Sequence, residues 1–466
     1  MPSQIPQVNH LSAAFAWPPL ARALGTLALT APLFFPMSAE AASDADIAEL
    51  KTLIKQMRSD YEQRISTLES RLVAAEKKVA APEPVAVAPL PDVPPTPTPV
   101  ARANAFNPAI GLVLNGTYRV FSDPAGGDIP GFPGGEEAGR AAEGFSLGES
   151  ELSFAADVDD RFQGKLTFSL ADNDGATSVE LEEAFLTTTI ADGARVQAGR
   201  FLSGIGYLNT QHTHADDFAD RPLPYRMMLN GVYKDDGLGI SWVAPTDTFL
   251  EIGGEYLRGG QYPAAGAGDR GKGAWTAHVK LGDDVGISNS WQAGLSYLDT
   301  RPIGRQTGTP GAEDSFSGDS RLWVADAVWK WAPNGDPSAR NLELQGEYFW
   351  RDESGEFAPN GSAAIPYSGK QKGWYAQAVY QFMPQWRIGA RTSALKADDP
   401  GAALAGTALD TQGHDPRDYS LMLDWSNSEF SRIRMQYTRD ESRPVADDQW
   451  TLQYIMSLGA HGAHTY

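Results

Sequence analysis

From Ile110 almost to the C-terminus, the chain alternates apolar and polar residues with period two. In RFQGKLTFSL (161–170), Phe162, Leu166, Phe168 and Leu170 share one face, and Gln163, Lys165, Thr167 and Ser169 share the other. In LELQGEYFW (342–350), Leu342, Leu344, Tyr348 and Trp350 stand opposite Glu343, Gln345 and Glu347. The same division recurs in WYAQAVYQF (374–382), YSLMLDW (419–425) and WTLQYIM (450–456). Successive side chains of a strand point to opposite faces, so each segment is a strand with one apolar and one polar side. There are about sixteen of them, each long enough for the roughly 9 to 11 residues that a tilted strand needs to cross a bilayer.

Tight links at 157–160, 191–193, 245–247, 282–285, 383–384 and 427–429 alternate with long links rich in Gly, Asp and Pro. Trp323, Trp331, Trp350, Trp374 and Tyr437 fall near strand ends. A soluble sandwich buries its apolar faces against each other and has no use for aromatic residues there, whereas a membrane barrel has short turns on one rim, long loops on the other and aromatic girdles at both interfaces. The pattern predicts an all-β protein, a transmembrane antiparallel β-barrel of about 16 strands preceded by a coiled-coil helix. An even strand count places both ends of the barrel on the periplasmic side.

Upstream of the barrel the periodicity changes. Residues 44–79 carry Ile47, Leu50, Ile54, Met57, Tyr61, Ile65, Leu68, Leu72, Ala75 and Val79 at steps of three and four, a heptad seam with one stutter between Tyr61 and Ile65. A seam this narrow predicts a self-associating periplasmic helix over 43–79; an amphipathic helix lying on its own barrel is the alternative. Eight prolines between 82 and 99 make 80–104 an extended, semi-rigid linker. Residues 1–42 resemble a secretory leader, with Arg22 ahead of an apolar run and small residues at Ala39, Ala41 and Ala42; cleavage is expected after Ala41 or Ala42. The layout is therefore leader 1–42, helix 43–79, linker 80–104 and barrel 105–466.

Composition narrows the class. The 47 Gly, 12 Trp, 16 Tyr and 19 Phe sit in a chain of negative mean hydropathy, as in a barrel with a polar interior. A net charge of −21 leaves no basic surplus for phosphate backbones and excludes nucleic acid as a partner. The absence of cysteine agrees with an oxidising destination and excludes thiolate metal sites and cysteine nucleophiles. His278 and His414 lie in no Ser or Asp nucleophile motif, so the sequence assigns no catalytic residue and predicts no enzyme.

The polar faces define a lumen. Glu149, Glu151, Glu180, Glu182, Glu251, Glu255, Glu343 and Glu347 are expected to line it from strands 2, 4, 7 and 11, and Arg119, Lys165, Arg195, Arg387, Arg391, Arg432 and Arg434 from strands 1, 3, 5, 13 and 15. Such segregation sets a transverse field across a pore, although each residue taken alone is equally explained by pairing with a neighbour.

The largest break in the alternation is GYLNTQHTHADDFADRPLPYR (206–226), the third long connection. Its apolar Tyr207, Leu208, Phe218, Leu223 and Tyr225 predict a loop folded into the lumen. His212 and His214 beside Asp216 and Asp217 form a candidate zinc site, the alternative being an acidic constriction that binds no metal. His461 and His464 in the C-terminal tail form a second candidate. The acidic balance and Asp220 predict a modest preference for cations.

Three stretches carry a family resemblance: FNPAIGLVLNGTY (106–118), the 211–226 loop with DDGLGISWVAPTDTFLE (235–251), and SLGAHGAHTY (457–466). They resemble a Gram-negative outer-membrane group labelled zinc-regulated outer-membrane receptors, and the layout of leader, coiled coil, Pro-rich linker and barrel is similar to that of the phosphate-selective porins. The resemblance covers most of 105–466. It implies an outer-membrane, lipid-embedded, porin-like barrel that needs no cofactor, with zinc linked to its expression or cargo, assembled as a homo-oligomer, with a trimer as the porin number. The function expected is passive passage of ions or small hydrophilic solutes. The alternatives are a zinc-linked transporter or metal-binding barrel, and a structural barrel with a periplasmic tether.

Overall fold

The computed structural model describes residues 108–459 except 124, 136–137, 174–175, 272 and 309–310. The leader, the 43–79 helix, the 80–104 linker, and His461 and His464 lie outside the described residues. Sixteen strands follow one another: β1 (Ala109–Phe121), β2 in two pieces (Gly144–Leu147 and Ser150–Asp157), β3 (Phe162–Asn173), β4 (Ala176–Ala191), β5 (Ala194–Leu202), β6 (Lys234–Val243), β7 (Phe249–Leu257) and β8 (Ala274–Val285). They continue as β9 (Asn289–Thr300, resumed at Arg305–Thr307), β10 (Asp314–Trp331), β11 (Asn341–Ala358), β12 (Ile365–Met383), β13 (Trp386–Ala397), β14 (Arg417–Ser428), β15 (Ser431–Glu441) and β16 (Asp447–Gly459). Each pairs antiparallel with its neighbours. The sheet closes where β1 meets β16, in register from Gly111↔Gly459 to Phe121↔Gln449. Closure removes both sheet edges, so the wall pairs its own backbone groups without water.

The distribution of side chains is the reverse of a soluble core. Leu421 is 60% exposed and Leu238 58%, whereas Arg434 is 1% and Glu347 3% exposed. Apolar residues face out and, except where an inward loop packs against the wall, polar residues face in, which is stable only in lipid. Ring pairs girdle both rims: Trp275 and Tyr297 at 5.1 Å and Tyr297 and Trp323 at 4.4 Å on the loop side, Trp386 and Trp425 at 6.2 Å on the turn side.

Two expectations about the links are corrected. Residues 282–285 belong to β8, and the turn is 286–288, with Gly286 at φ +66 supplying its left-handed residue. Nor are all the alternate links long: two residues separate β3 from β4, and six separate β11 from β12. The reason is strand length. β10, β11 and β12 have 18, 18 and 19 residues, well beyond a membrane crossing, and past Trp323, Trp350 and Trp374 their outward positions turn polar at Arg321, Asp352 and Lys372.

One irregularity shapes the interior. On β4, Leu181 pairs with Phe168 and Glu183 with Thr167, which leaves Glu182 as a bulged residue. Both Glu182 and Glu183 are buried and both reach the ring of His212 on the lumen side.

Candidate functional site

Between β5 and β6, residues 203–233 fold into the barrel. Ile205, Tyr207, Leu208, Leu223, Tyr225, Met228 and Leu229 are buried there against inward residues of the far wall, among them Val324, Phe349, Tyr375 and Leu395. Burying a large apolar side chain contributes about 1.5–3 kcal/mol, so this loop is packed like a core. After Pro222 the segment forms the helix α1 (Leu223–Leu229), which Asn230 ends in the left-handed conformation at φ 53.

Glu347 on β11 fastens the loop. Its carboxylate accepts the amides of Tyr207 and Leu208 at 3.1 Å each, the Tyr225 hydroxyl at 2.9 Å and the Tyr375 hydroxyl at 2.7 Å. This approach requires glycine at 206, where φ is +70 and a Cβ would lie 2.5 Å from Glu347 Oε2 and 2.7 Å from the Tyr225 hydroxyl. Glu255 on β7 performs the same task at the loop's start, accepting Ser203 Oγ at 2.5 Å and the Gly204 amide at 2.7 Å.

The loop's charges meet their opposites. Asp217 pairs with Arg387 at 2.7 Å and Asp220 with Arg391 at 2.8 Å, both on β13, and Asp216 is held by Arg221 within the loop at 2.6 Å. Arg432 and Arg434 on β15 donate to the loop carbonyls of His214 and Asp216. Burial pushes the Asp217 carboxyl up, but the guanidiniums of Arg387, Arg434 and Arg432 outweigh it and hold the group below the ordinary carboxylate value. Burial likewise works against Asp220, which Arg391 and Gln436 hold below that value.

On the opposite side the histidines enter an acidic wall. His214 Nδ1 lies 2.7 Å from Glu151 Oε1, and Thr213 donates to Glu149. His212 Nδ1 lies 3.3 Å from Glu151 Oε2 and 3.4 Å from Glu182 Oε2, while its Nε2 lies 3.0 Å from Glu183 Oε2 and 3.2 Å from Lys165 Nζ. Burial alone lowers the affinity of this imidazole for its proton; Glu151, Glu182 and Glu183 reverse that and raise it well above the ordinary histidine value.

Two cavities flank this cluster. One, of about 780 Å³, opens toward the turn rim and includes Glu183, Arg195, Thr210, Glu251, His278 and Lys280 in its lining. The other, of about 260 Å³, lies toward the loop rim and includes Arg119, Arg140, Glu149, Glu182, Thr213 and Arg226.

The structure distributes the sequence-predicted residues accordingly. Glu151 and Glu182 meet the histidines, Glu149 accepts the Thr213 hydroxyl between them, Lys165 pairs with Glu183 at 2.6 Å, and Glu251 lies 3.3 Å from His278. Glu255 and Glu347 face inward but serve as loop anchors, Glu343 lies 3.8 Å from Lys330, and Glu180 and Arg195 are exposed. Arg387, Arg391, Arg432 and Arg434 form a ladder, but the loop covers it. Asp216 and Asp217 do not join His212 and His214 in a metal group, because arginines occupy their carboxylates. Among the described residues, the donors that converge within 4.8 Å are Glu151, Glu182 and His212. The same pairing corrects the source of cation preference, since Asp216, Asp217 and Asp220 are neutralised. Sequence reasoning missed Glu183, which strict alternation sends outward. Its signal is present: apolar positions run odd at Val179 and Leu181, then even at Leu186 and Ile190, and that parity change is the bulge.

A family profile described as "Phosphate-selective porin O and P" matches residues 126–403. An uncharacterized protein of Aquifex aeolicus (strain VF5) is 30% identical over 392 residues, covering 78% of this chain and 80% of its own. Among solved structures, the outer membrane channel DcaP of Acinetobacter baumannii aligns with a TM-score of 0.47 at 12% identity, over 76% of this chain and 96% of that one. The anion-selective porin from Comamonas acidovorans aligns with a TM-score of 0.43 at 10% identity, over 76% and 99%.

Proposed function

The chain belongs to the phosphate-selective porin O and P family and is an outer-membrane channel for passive passage of ions or small hydrophilic solutes; from that premise we propose a single route through it. Solutes enter the loop-side cavity, pass the constriction at His212 and leave through the larger turn-side cavity. The observation that carries this reading is the bulge on β4: Glu182 lines one cavity and its chain neighbour Glu183 lines the other, with His212 in ion-pair range of both. Elsewhere the loop packs against inward residues of β10–β13. The turn-side cavity carries six carboxylates against Arg195 and Lys280, which supports a cation preference arising there rather than in the loop.

The absence of cysteine makes the test clean. Thr210→Cys, on the route, should lose conductance when a charged thiol reagent modifies it. Gln377→Cys, buried on β12 away from both cavities, should be unaffected by the same reagent. Unchanged conductance after complete modification at 210 would dismiss the route.

Passage of this kind needs no cofactor. The metal-linked alternative is favoured by one observation, the Glu151–Glu182–His212 group, and it adds a ligand to the channel without replacing its function. The mature layout of periplasmic helix 43–79, linker 80–104 and lipid-embedded barrel 105–466 completes the reading. Self-association is supported by the heptad seam and by a shallow apolar band on the outer wall, where Ala293, Ala327, Gly346, Ala376, Ala378 and Ala390 face outward; the number three rests on the porin resemblance.

A further inference from the structure

We infer that Glu151, Glu182 and His212 form a binding site for a divalent transition-metal cation at the constriction. The acidic grouping alone does not carry this; the state of its atoms does. Glu182 is 1% exposed, and its Oε2 faces His212 Nδ1 at 3.4 Å in ion-pair range but without the geometry of a hydrogen bond. A proton on Nδ1 is shared poorly between Glu151 and Glu182 at these distances, and a cation in its place would be held by all three donors.

The spacing fits such an ion. Ligands about 2.0–2.1 Å from a tetrahedral centre stand about 3.3–3.4 Å apart. The separations of 3.3 Å from Nδ1 to Glu151 Oε2 and 3.4 Å from Nδ1 to Glu182 Oε2 have that edge length. Hydrogen bonds of N–H to O are shorter, near 2.9 Å.

Neighbouring groups orient the donors. His214 lies on the other oxygen of Glu151, at 2.7 Å. With a metal on Nδ1 the ring proton resides on Nε2, where Glu183 Oε2 at 3.0 Å accepts it, and Lys165 Nζ, 3.2 Å from the same nitrogen, then donates to Glu183 and not to the ring; a carboxylate behind a metal-binding imidazole is the common arrangement. Lys165 stands 2.6 Å from Glu183 and compensates that carboxylate. One imidazole and two carboxylates select a borderline ion such as Zn²⁺ over Ca²⁺, which prefers an all-oxygen shell.

The effect of the ion on conductance rests on the route proposed above; its binding does not. The test uses the full chain in detergent for calorimetry and in planar bilayers for conductance, with ZnCl₂ and CaCl₂ as probes. Zn²⁺ should bind with one site per chain and reduce conductance reversibly on chelation. Glu182→Gln and His212→Ala should each weaken binding by roughly tenfold or more while keeping the heat-modifiable gel shift of a folded barrel. Ca²⁺ should bind much more weakly. Zn²⁺ binding that Glu182→Gln and His212→Ala leave unchanged, or no binding by the parent, overturns the site. Zn²⁺ binding lost in both variants but without effect on conductance upholds the site and overturns the route.

Discussion

Asp220 is the residue through which falling pH is expected to release the loop from β13. Arg391 and Gln436 hold its carboxyl below the ordinary value in spite of burial. The unfolded reference is about 3.9, so the contribution of this contact is complete above that value and is lost as pH falls through the lower folded one. Conductance limited by this lock should stay level from neutral pH down to about 4 and rise below it. Arg391→Gln should already show the open level at neutral pH. A rise centred near pH 6 in the parent, retained in Arg391→Gln, would assign the lock to other groups.

At the scale of elements, two irregularities make the site: the bulge on β4 and the inward loop with its short helix. The bulge adds one residue to the strand and turns two consecutive glutamates into the lumen, which regular alternation cannot do. The loop depends on Gly206, because left-handed backbone costs a residue with a side chain about 1–2 kcal/mol and a Cβ there would meet Glu347 and the Tyr225 hydroxyl. Gly206→Ala is expected to leave the barrel folded, detach the loop from Glu347, raise conductance and speed proteolysis within 203–233. Wild-type conductance and protease resistance in that variant would mean that the Glu347 anchor does not hold the loop.

For the whole molecule, the N-terminal helix proposed over 43–79 is expected to serve assembly and not the fold of the barrel. The barrel's backbone pairing is complete within the wall, since β1 closes on β16, so it does not depend on the helix for its fold. Deleting 43–80 should therefore weaken the oligomer seen by crosslinking while leaving the heat-modifiable barrel and its single-channel conductance in place. Crosslinking that finds only monomer in the intact chain would remove the assembly role of the heptad seam. The loop also changes the electrostatic reading at this scale. Its acids cover the arginines of β13, and what remains facing open space is the acidic turn-side cavity and the loop-side cavity, where Arg119, Arg140 and Arg226 stand beside Glu149 and Glu182.

The amino-acid sequence by itself determined the barrel. Alternation of period two is local, and lipid outside with water inside translates each position directly into a face, so Leu421 and Gln345 could be placed without knowing their neighbours. It also marked 206–226 as inward, because Tyr207, Leu223 and Tyr225 are too apolar for a solvated loop. Only the tertiary structure decided the partners. Which carboxylate meets His212 depends on how a 31-residue excursion, 203–233, crosses to walls formed by β2, β4, β11, β13 and β15, and no spacing along the chain encodes that. Asp216 and Asp217 lie closest to the histidines in sequence, but Arg221 and Arg387 take them first, since a buried carboxylate is stable only with a paired charge. Glu151 and Glu182, distant in the chain, are brought to the imidazole by strand register and by one extra residue in β4.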